Sequence, residues 1–337
     1  MKIIDLFSGI GGFSLGFQRA GYQFTEHYFS EIDKHAIANY KYNFPNAKYI
    51  GDITSVHGGD FTGIDIITFG SPCQDFSLAG KRAGLAGAKS SLIEYAIALI
   101  ADIRPSIFIW ENVKGAFSSN ARADFWAILK AFANIGSYTI EWQLLNTSWV
   151  LPQNRERIYL VGHLAGRSEP GVFPIREDDC LSTTKTQSQS QAQISTTIKA
   201  NGNMNADDTY IIPKAASTLT GGGHSGGLHS DMTIIQINPS KESGGKQPYQ
   251  QNRVFDEKGI SPALTRHNSD YAISRMRRLT EIECERLQGF PDNWTQYGNY
   301  NSDIKPIART QRYKLIGNAV TVDIVELIAK KIKFTEQ

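Results

Sequence analysis

Cysteine is scarce in this chain: three thiols in 337 residues, Cys73, Cys180 and Cys284, with no C-x-x-C pair among them. That excludes a disulfide framework and gives no zinc pattern. Long apolar runs are missing too, none approaching the roughly 18 residues of a membrane-crossing helix. Charge of one sign is not in excess, with 35 Lys and Arg against 33 Asp and Glu and a net charge of +2, so any phosphate-binding surface must be local. Charged and polar residues from Lys2 and Asp5 onward leave no signal peptide, and the chain is expected in the cytoplasm, with no membrane contact. What is plentiful is core material. Hydrophobic residues make up 41% of the chain, enough for one large domain and a smaller one.

The stretch around which the chain is organised is Phe69-Gly70-Ser71-Pro72-Cys73-Gln74-Asp75-Phe76-Ser77, preceded by the apolar strand Ile64–Phe69. Pro72 stops the strand and turns Ser71 away from helix, so the Cys73 thiol is delivered where a strand runs out. In open α/β sheets that edge binds ligands. A lone cysteine is usually an inert buried hydrophobe. Placed here, ahead of a polar stretch punctuated by Gly80, Gly84 and Gly87, it equally fits a nucleophile beneath a loop that closes over its substrate.

Other strand ends carry polar residues in order. Strand Lys2–Phe7 enters Ser8-Gly9-Ile10-Gly11-Gly12, and a helix follows with Phe13, Phe17 and Ala20 on one face and Gly21 as its stop. Strand, glycine-rich turn and helix make a cofactor cradle, although the dinucleotide fingerprint is incomplete. Glu31 closes a second strand where an acid binds ribose hydroxyls, and Asp52 ends a third, free to accept from an adenine amino group. Further on, helix Ser90–Ile103 stops before Pro105, and strand Ile107–Trp110 runs into Glu111-Asn112-Val113. A carboxylate closing an apolar strand suits a proton donor. A helix over Ala121–Asn134, a strand over Tyr138–Leu145 and a strand from Pro152 to Gly162 follow, with Arg155 and Arg157 on one face of the last.

At about His163 the composition changes to Ser, Thr, Gly, Asn and Gln. Loosely repeated segments, beginning at Ser195, Ser217 and Ser261, each read as strand, polar tip, strand, and suit a recognition surface. Order returns at Arg277. Thr280 and Glu283 form a capping box for a helix that stops at Gly289, and Tyr313–Val320 leads into an amphipathic helix reaching Lys333.

With these pieces in this order, the chain resembles the DNA (cytosine-5) methyltransferases of the bacterial or phage modification type. The likeness rests on Asp5-Leu6-Phe7-Ser8-Gly9-Ile10-Gly11-Gly12, Gly70-Ser71-Pro72-Cys73-Gln74, Glu111-Asn112-Val113, Gln153-Asn154-Arg155-Glu156-Arg157 and Gly317-Asn318-Ala319-Val320. Asn154 and Ala319 stand where the family also uses basic residues and Ser. The resemblance implies a doubly wound, Rossmann-like methyltransferase domain over residues 1–162, completed by 303–337, with a smaller, mostly β and loop target-recognition domain over 163–302.

It also implies the chemistry. Cys73 would attack carbon 6 of a flipped-out cytosine, Glu111 would bind ring nitrogen 3 and the exocyclic amine, Arg157 the base carbonyl, and Arg155 would support the site or a phosphate. S-adenosylmethionine, leaving as S-adenosylhomocysteine, would lie on Phe7, Ser8, Gly9, Gly11 and Gly12. Glu31 would take the ribose, Asp52 and Ile53 the adenine edge, Leu92 the ring face and Asn318 the methionine end, with Ile32 and Pro72 in the same set. Gln74, Ser77, Gly80, Arg82 and Arg266 would contact double-stranded DNA, and no metal is required. A monomer is expected, with a cognate restriction endonuclease acting on the same site but not stably bound. The RNA-methylating branch of the family, a catalytically dead DNA-binding regulator and a dinucleotide oxidoreductase are the rival readings. The long repeat-bearing insert disfavours the first, intact Cys73, Glu111 and Arg157 the second, and the incomplete glycine fingerprint the third.

Overall fold

A computed structural model describes residues 1–71, 92–118, 123–177, 195–196 and 279–335 of the chain. Its centre is a seven-stranded sheet in the order β3-β2-β1-β4-β5-β8-β6. The strands are β1 (Lys2–Leu6), β2 (Glu26–Ser30), β3 (Lys48–Tyr49), β4 (Ile66–Gly70), β5 (Ile107–Val113), β6 (Tyr138–Asn146) and β8 (Glu156–Leu164), with the short β7 (Gln153–Asn154) lying outside it. All are parallel except β8, which runs antiparallel to both β5 and β6. The chain winds outward from β1 to β3, then returns to β4 on the other side of β1. This reversal is the switch point at which open α/β sheets form their ligand crevice.

Alternation along the strands sorts the core into two layers. Ile4, Leu6, Ile67, Phe69, Phe108, Trp110, Ile158 and Leu160 face α3 (Leu92–Ile103) and α5 (Ala123–Asn134). Ile3, Ile66, Ile107, Ile109, Tyr159 and Val161 face α1 (Gly12–Arg19) and α8 (Val322–Lys331). A third cluster joins α2 (Lys34–Asn43) to α6 (Glu281–Leu287) and α7 (Arg309–Asn318) through Tyr40, Phe44, Cys284, Leu287, Tyr313 and Ile316. The expected α/β architecture is present, and so is the capping box, in which the Thr280 side chain accepts from Glu283 N and Glu283 answers to Thr280 N.

Three details differ from the sequence reading. β5 continues through Glu111 to Val113, because β8 pairs with it beyond the end of β4. Helix α7 stands where a lead-in segment was expected, so Gly317 and Asn318 close a helix. The third strand, β3, has only two residues. Between residues 178 and 278, the stretch that carries the repeats, only Ser195–Thr196 is described, as a strand parallel to β7; the rest of that stretch lies outside the described residues.

Segments on either side of that insert pack with the body. Ser168–Glu169 pairs with Lys333–Phe334, Val172 and Ile175 join the α1/α8 layer, and the amides of Gly171, Val172 and Phe173 donate to the Glu141 carboxylate. The hairpin of β11 (Tyr297–Tyr300) and β12 (Asp303–Pro306) lies on α2, where Asn39 Nδ2 donates to the carbonyls of Trp294 and Tyr297.

A buried polar cluster joins five elements at the base of the crevice. Asp5, fully buried, accepts from Thr68 at 2.9 Å and from Ser14 and Tyr40 at 3.1 Å, while His27 Nε2 lies 3.0 and 2.8 Å from the same two hydroxyls. No cation among the described residues compensates the carboxylate. Burial pushes the Asp5 pKa up to about 7 against the three hydrogen bonds that lower it, and pulls His27 down to about 4.

Two predictions follow from this packing. A Cβ on Gly162 would sit 2.1 Å from Phe108 Cε1, so Gly162→Ala should lower stability by roughly 1–3 kcal/mol in chemical denaturation, and an unchanged midpoint would show that the ring can move aside. For Asp5 the native state holds a proton between about pH 4 and 7 that the unfolded chain releases, so this group's contribution to stability falls as pH rises through that window. His27 acts oppositely, losing stability as pH drops from about 6.5 to 4. Asp5→Asn removes the first effect only. Its stability relative to the parent should therefore rise between about pH 5 and pH 8 by up to roughly 3 kcal/mol; a flat difference would show that Asp5 stays ionised throughout.

Candidate active site

The carboxyl ends of β1, β4 and β5 share one edge, since Leu6 pairs with Phe69 and Gly70 with Glu111. After β1 the chain turns sharply: Phe7, Gly9 and Gly11 all take left-handed conformations, with φ of 49°, 53° and 83°. For Phe7 that is backbone strain of the kind held at ligand sites. The turn is tied to β2, with Ser8 N donating to Ser30 O and Gly9 N to Glu31 Oε2. Glu31 Oε1 accepts from the amides of Ile32 and Asp33. Among the described residues, three of the carboxylate's roughly four acceptor positions are thus occupied, all by backbone amides, and the fourth is unused.

Phe7, Ile53 and Leu92 pack on one apolar cluster. Asp52 caps a 3-10 turn by accepting from Thr54 N, and stands exposed at the same edge. Ile32 is 73% exposed beside Glu31, an apolar face without a cover. The Ser8 hydroxyl is buried and has no hydrogen-bond partner among the described residues. Asn318 is exposed at the end of α7, next to Ala319 and Val320. A turn of strained backbone, an acid with one free acceptor position, an orphaned hydroxyl and an open apolar face together fit a nucleoside-bearing cofactor.

The second half of the edge is charged. Glu111 is 8% exposed, and a Cβ on its partner Gly70 would meet Glu111 Oε2 at 3.1 Å, so a larger residue would press on the carboxylate. Arg157 Nε approaches Glu111 Oε1 to 3.1 Å as an ion pair, but without hydrogen-bond alignment, and that buried oxygen has no hydrogen-bond donor among the described residues. Arg157 Nη1 donates to Glu156 O. Arg155 is turned inward. Its guanidinium donates to Ala319 O at 2.9 Å and Gly317 O at 3.5 Å, tying the end of α7 to β8. Burial, aided by the neighbouring charge of Arg157, lowers the Arg155 pKa, yet a guanidinium remains protonated at neutral pH.

The structure therefore brings Glu111, Arg155 and Arg157 together. Phe7, Ser8, Gly9, Gly11 and Gly12 form or flank the turn, Glu31 is bonded to it with Ile32 next in sequence, and Asp52, Ile53 and Leu92 lie on separate elements. Pro72, Cys73, Gln74, Ser77, Gly80, Arg82 and Arg266 lie outside the described residues. Sequence reasoning missed the Asp5 cluster and any role for Trp110 and Asn112. The indole Nε1 of Trp110 donates to Ser71 Oγ at 3.0 Å, and Asn112 Nδ2 to Ser71 O at 3.1 Å. No local signal announces such bonds, because their partners are far apart in the chain. Among the described residues no group of His, Cys, Asp and Glu could hold a metal ion, and no helix is long and apolar enough to cross a membrane.

Known proteins are similar to this chain in sequence and fold. The Type II methyltransferase M1.ScrFI of Lactococcus lactis subsp. cremoris is 31% identical over 338 residues, covering 98% of this chain and 77% of the relative. The Type II methyltransferase M.HaeII of Haemophilus aegyptius is 32% identical over 329 residues, covering 97% and 91%. The S. pombe Dnmt2 methyltransferase structure has the same fold, with a TM-score of 0.62 at 19% identity over 98% of this chain and 97% of that one. A family model described as C-5 cytosine-specific DNA methylase matches residues 1–334. With that match spanning nearly the whole sequence, the chain belongs to the C-5 cytosine-specific DNA methylase family and is a DNA (cytosine-5) methyltransferase.

Proposed function

We propose that the chain methylates carbon 5 of a cytosine flipped out of duplex DNA, using S-adenosylmethionine and a covalent intermediate on Cys73. The observation that carries this reading is the Glu111–Arg157 pair. It is a buried carboxylate at the sheet edge, held by a cation yet keeping an oxygen that accepts no hydrogen bond from the described residues. An unsatisfied buried acceptor is expensive, and an amino group or protonated ring nitrogen of a base would satisfy it.

The base must leave the helix to reach that edge. Cytosine is a poor nucleophile at carbon 5, so a thiolate first adds to carbon 6. Cys73 forms the S–C6 bond as the C5–C6 double bond opens toward carbon 5; a proton shared between Glu111 and ring nitrogen 3 passes to the nitrogen, which keeps the ring neutral, and returns to Glu111 when the S–C6 bond breaks. Arg157 holds Glu111 in place and takes the base carbonyl. When bound, S-adenosylmethionine supplies the methyl group and departs as S-adenosylhomocysteine. A base then removes the proton from carbon 5, the S–C6 bond breaks, and Cys73 returns as thiolate. Around the cofactor, the Phe7–Gly12 turn approaches the methionine moiety, Glu31 uses its remaining acceptor position on the ribose, Ile32 and Leu92 cover the base, and Asp52 reads the adenine edge. Arg155 acts through structure, keeping Asn318 beside the turn.

Packing of 168–175 and 279–302 with the body supports drawing the recognition segment in to residues 178–278, with Arg266 inside it. Relatives are named as Type II methyltransferases and, in Bacillus phage SPR, as an orphan methyltransferase. This chain would act as a monomer in the cytoplasm, either beside a restriction endonuclease of the same specificity or alone.

DNA in which the target cytosine carries fluorine at carbon 5 tests the chemistry. The fluorine cannot leave as a proton does, so protein and DNA should stay joined through Cys73 in denaturant, only when S-adenosylmethionine is present. Cys73→Ala should form no adduct and transfer no methyl while binding the cofactor within about twofold of the parent; free protein from fluorinated DNA, beside normal turnover on ordinary DNA, would refute the covalent route. Recognition is tested by transplanting residues 178–278 into a related body. Bisulfite sequencing should then find the methylated site moved with the insert, and a chimera that kept the specificity of its recipient would put recognition elsewhere.

A further inference from the structure

We infer that Trp110, Asn112 and Ser71 form a clamp that positions the catalytic edge, making Trp110 and Ser71 positioning residues for methyl transfer. The inference rests on the reading of Cys73 and Glu111 given above. Ser71 follows the last residue of β4 and precedes Cys73 by two positions. Its hydroxyl accepts from Trp110 Nε1 at 3.0 Å and lies 3.3 Å from Asn112 Nδ2, which also donates to the Ser71 carbonyl at 3.1 Å. Asn112 Oδ1 in turn accepts from Val113 N at 2.8 Å.

The pleat explains the arrangement. Trp110 and Asn112 are two residues apart on β5, so both point to the α3/α5 side, while Glu111 between them points to the other. The clamp thus grips Ser71 from one face and presents Glu111 on the opposite one. Its strands are already in register through Gly70 and Glu111. Ser71 is 7% exposed, Asn112 2% and Trp110 0%, so water does not compete for these bonds. The indole itself is wedged by Phe125 and Phe132. An ordinary strand end frays. This one is held by side-chain bonds where the chain leaves for Cys73, so the clamp sets both the height of Glu111 and the starting point of the nucleophile segment.

The test uses full-length Ser71→Ala, Trp110→Phe and the double variant, on plasmid DNA from a host without cytosine methylation, with tritium-labelled S-adenosylmethionine. Single-turnover methyl transfer should slow roughly ten- to hundredfold in each single variant. Cofactor affinity should stay within about twofold, and the double variant should be no slower than the worse single one, because both remove the same bond. Trp110→Phe keeps an aromatic ring in the core, so it reports on the N–H if Ser71→Ala proves poorly folded. Parental single-turnover rates in folded variants, with only a lowered Tm, would make the clamp merely structural and overturn the inference. Additive slowing in the double variant would overturn it too. Failure of the parent itself to transfer methyl groups or form the fluorinated adduct would instead sink the reading of Cys73, and the clamp with it.

Discussion

Parallel pairing of Ile66–Gly70 with Ile107–Glu111 brings two distant segments of chain to one edge and in one register, and the catalytic geometry depends on it. A slip of one residue would turn Glu111 to the α3/α5 layer and Trp110 to the other, exchanging a carboxylate with a core aromatic. The core forbids that slip, because Phe108 and Trp110 are packed on Phe132 from α5. Position and reactivity are therefore both consequences of apolar packing on either side of the sheet.

The antiparallel strand β8 adds the cation. Its N-terminal end lies where β5 ends, so Val113 faces Arg157 in the ladder, and a parallel strand in that place would bring its C-terminal end instead. The same strand start holds Arg155, whose bonds to Gly317 and Ala319 close the C-terminal segment onto the body. One short stretch thus serves an open charge and a buried one. The difference lies in their partners: Arg155 spends its donors on backbone carbonyls, whereas Arg157 faces a carboxylate that still has an acceptor to offer.

Beneath the glycine-rich turn sits an acid that no cation among the described residues compensates. Asp5 is kept by hydroxyls rather than by a cation, and the hydroxyls come from α1, α2 and β4, with His27 of β2 beside them. An apolar residue would pack as well, but it would not hold five elements in one relative orientation by directional bonds.

Much of this was legible beforehand. Glycine and proline punctuation, apolar runs of strand length and acids at strand ends follow from local backbone physics, and they located the sheet, the glycine-rich turn after β1, the capping box at Thr280 and the strand ends that carry Glu111 and Arg157. The extension of β5 to Val113, helix α7 and the inward turn of Arg155 were not legible. Each depends on a partner distant in sequence: β8 for the strand, the third core cluster for the helix, and the carbonyls of Gly317 and Ala319 for the guanidinium. By itself the sequence determined which chemical groups stand at the sheet edge and in what order, because local propensity and pattern act over a few residues. Only the tertiary structure decided which of those groups keep a free valence for substrate, since hydrogen-bond partners are assigned by packing between elements that the chain separates.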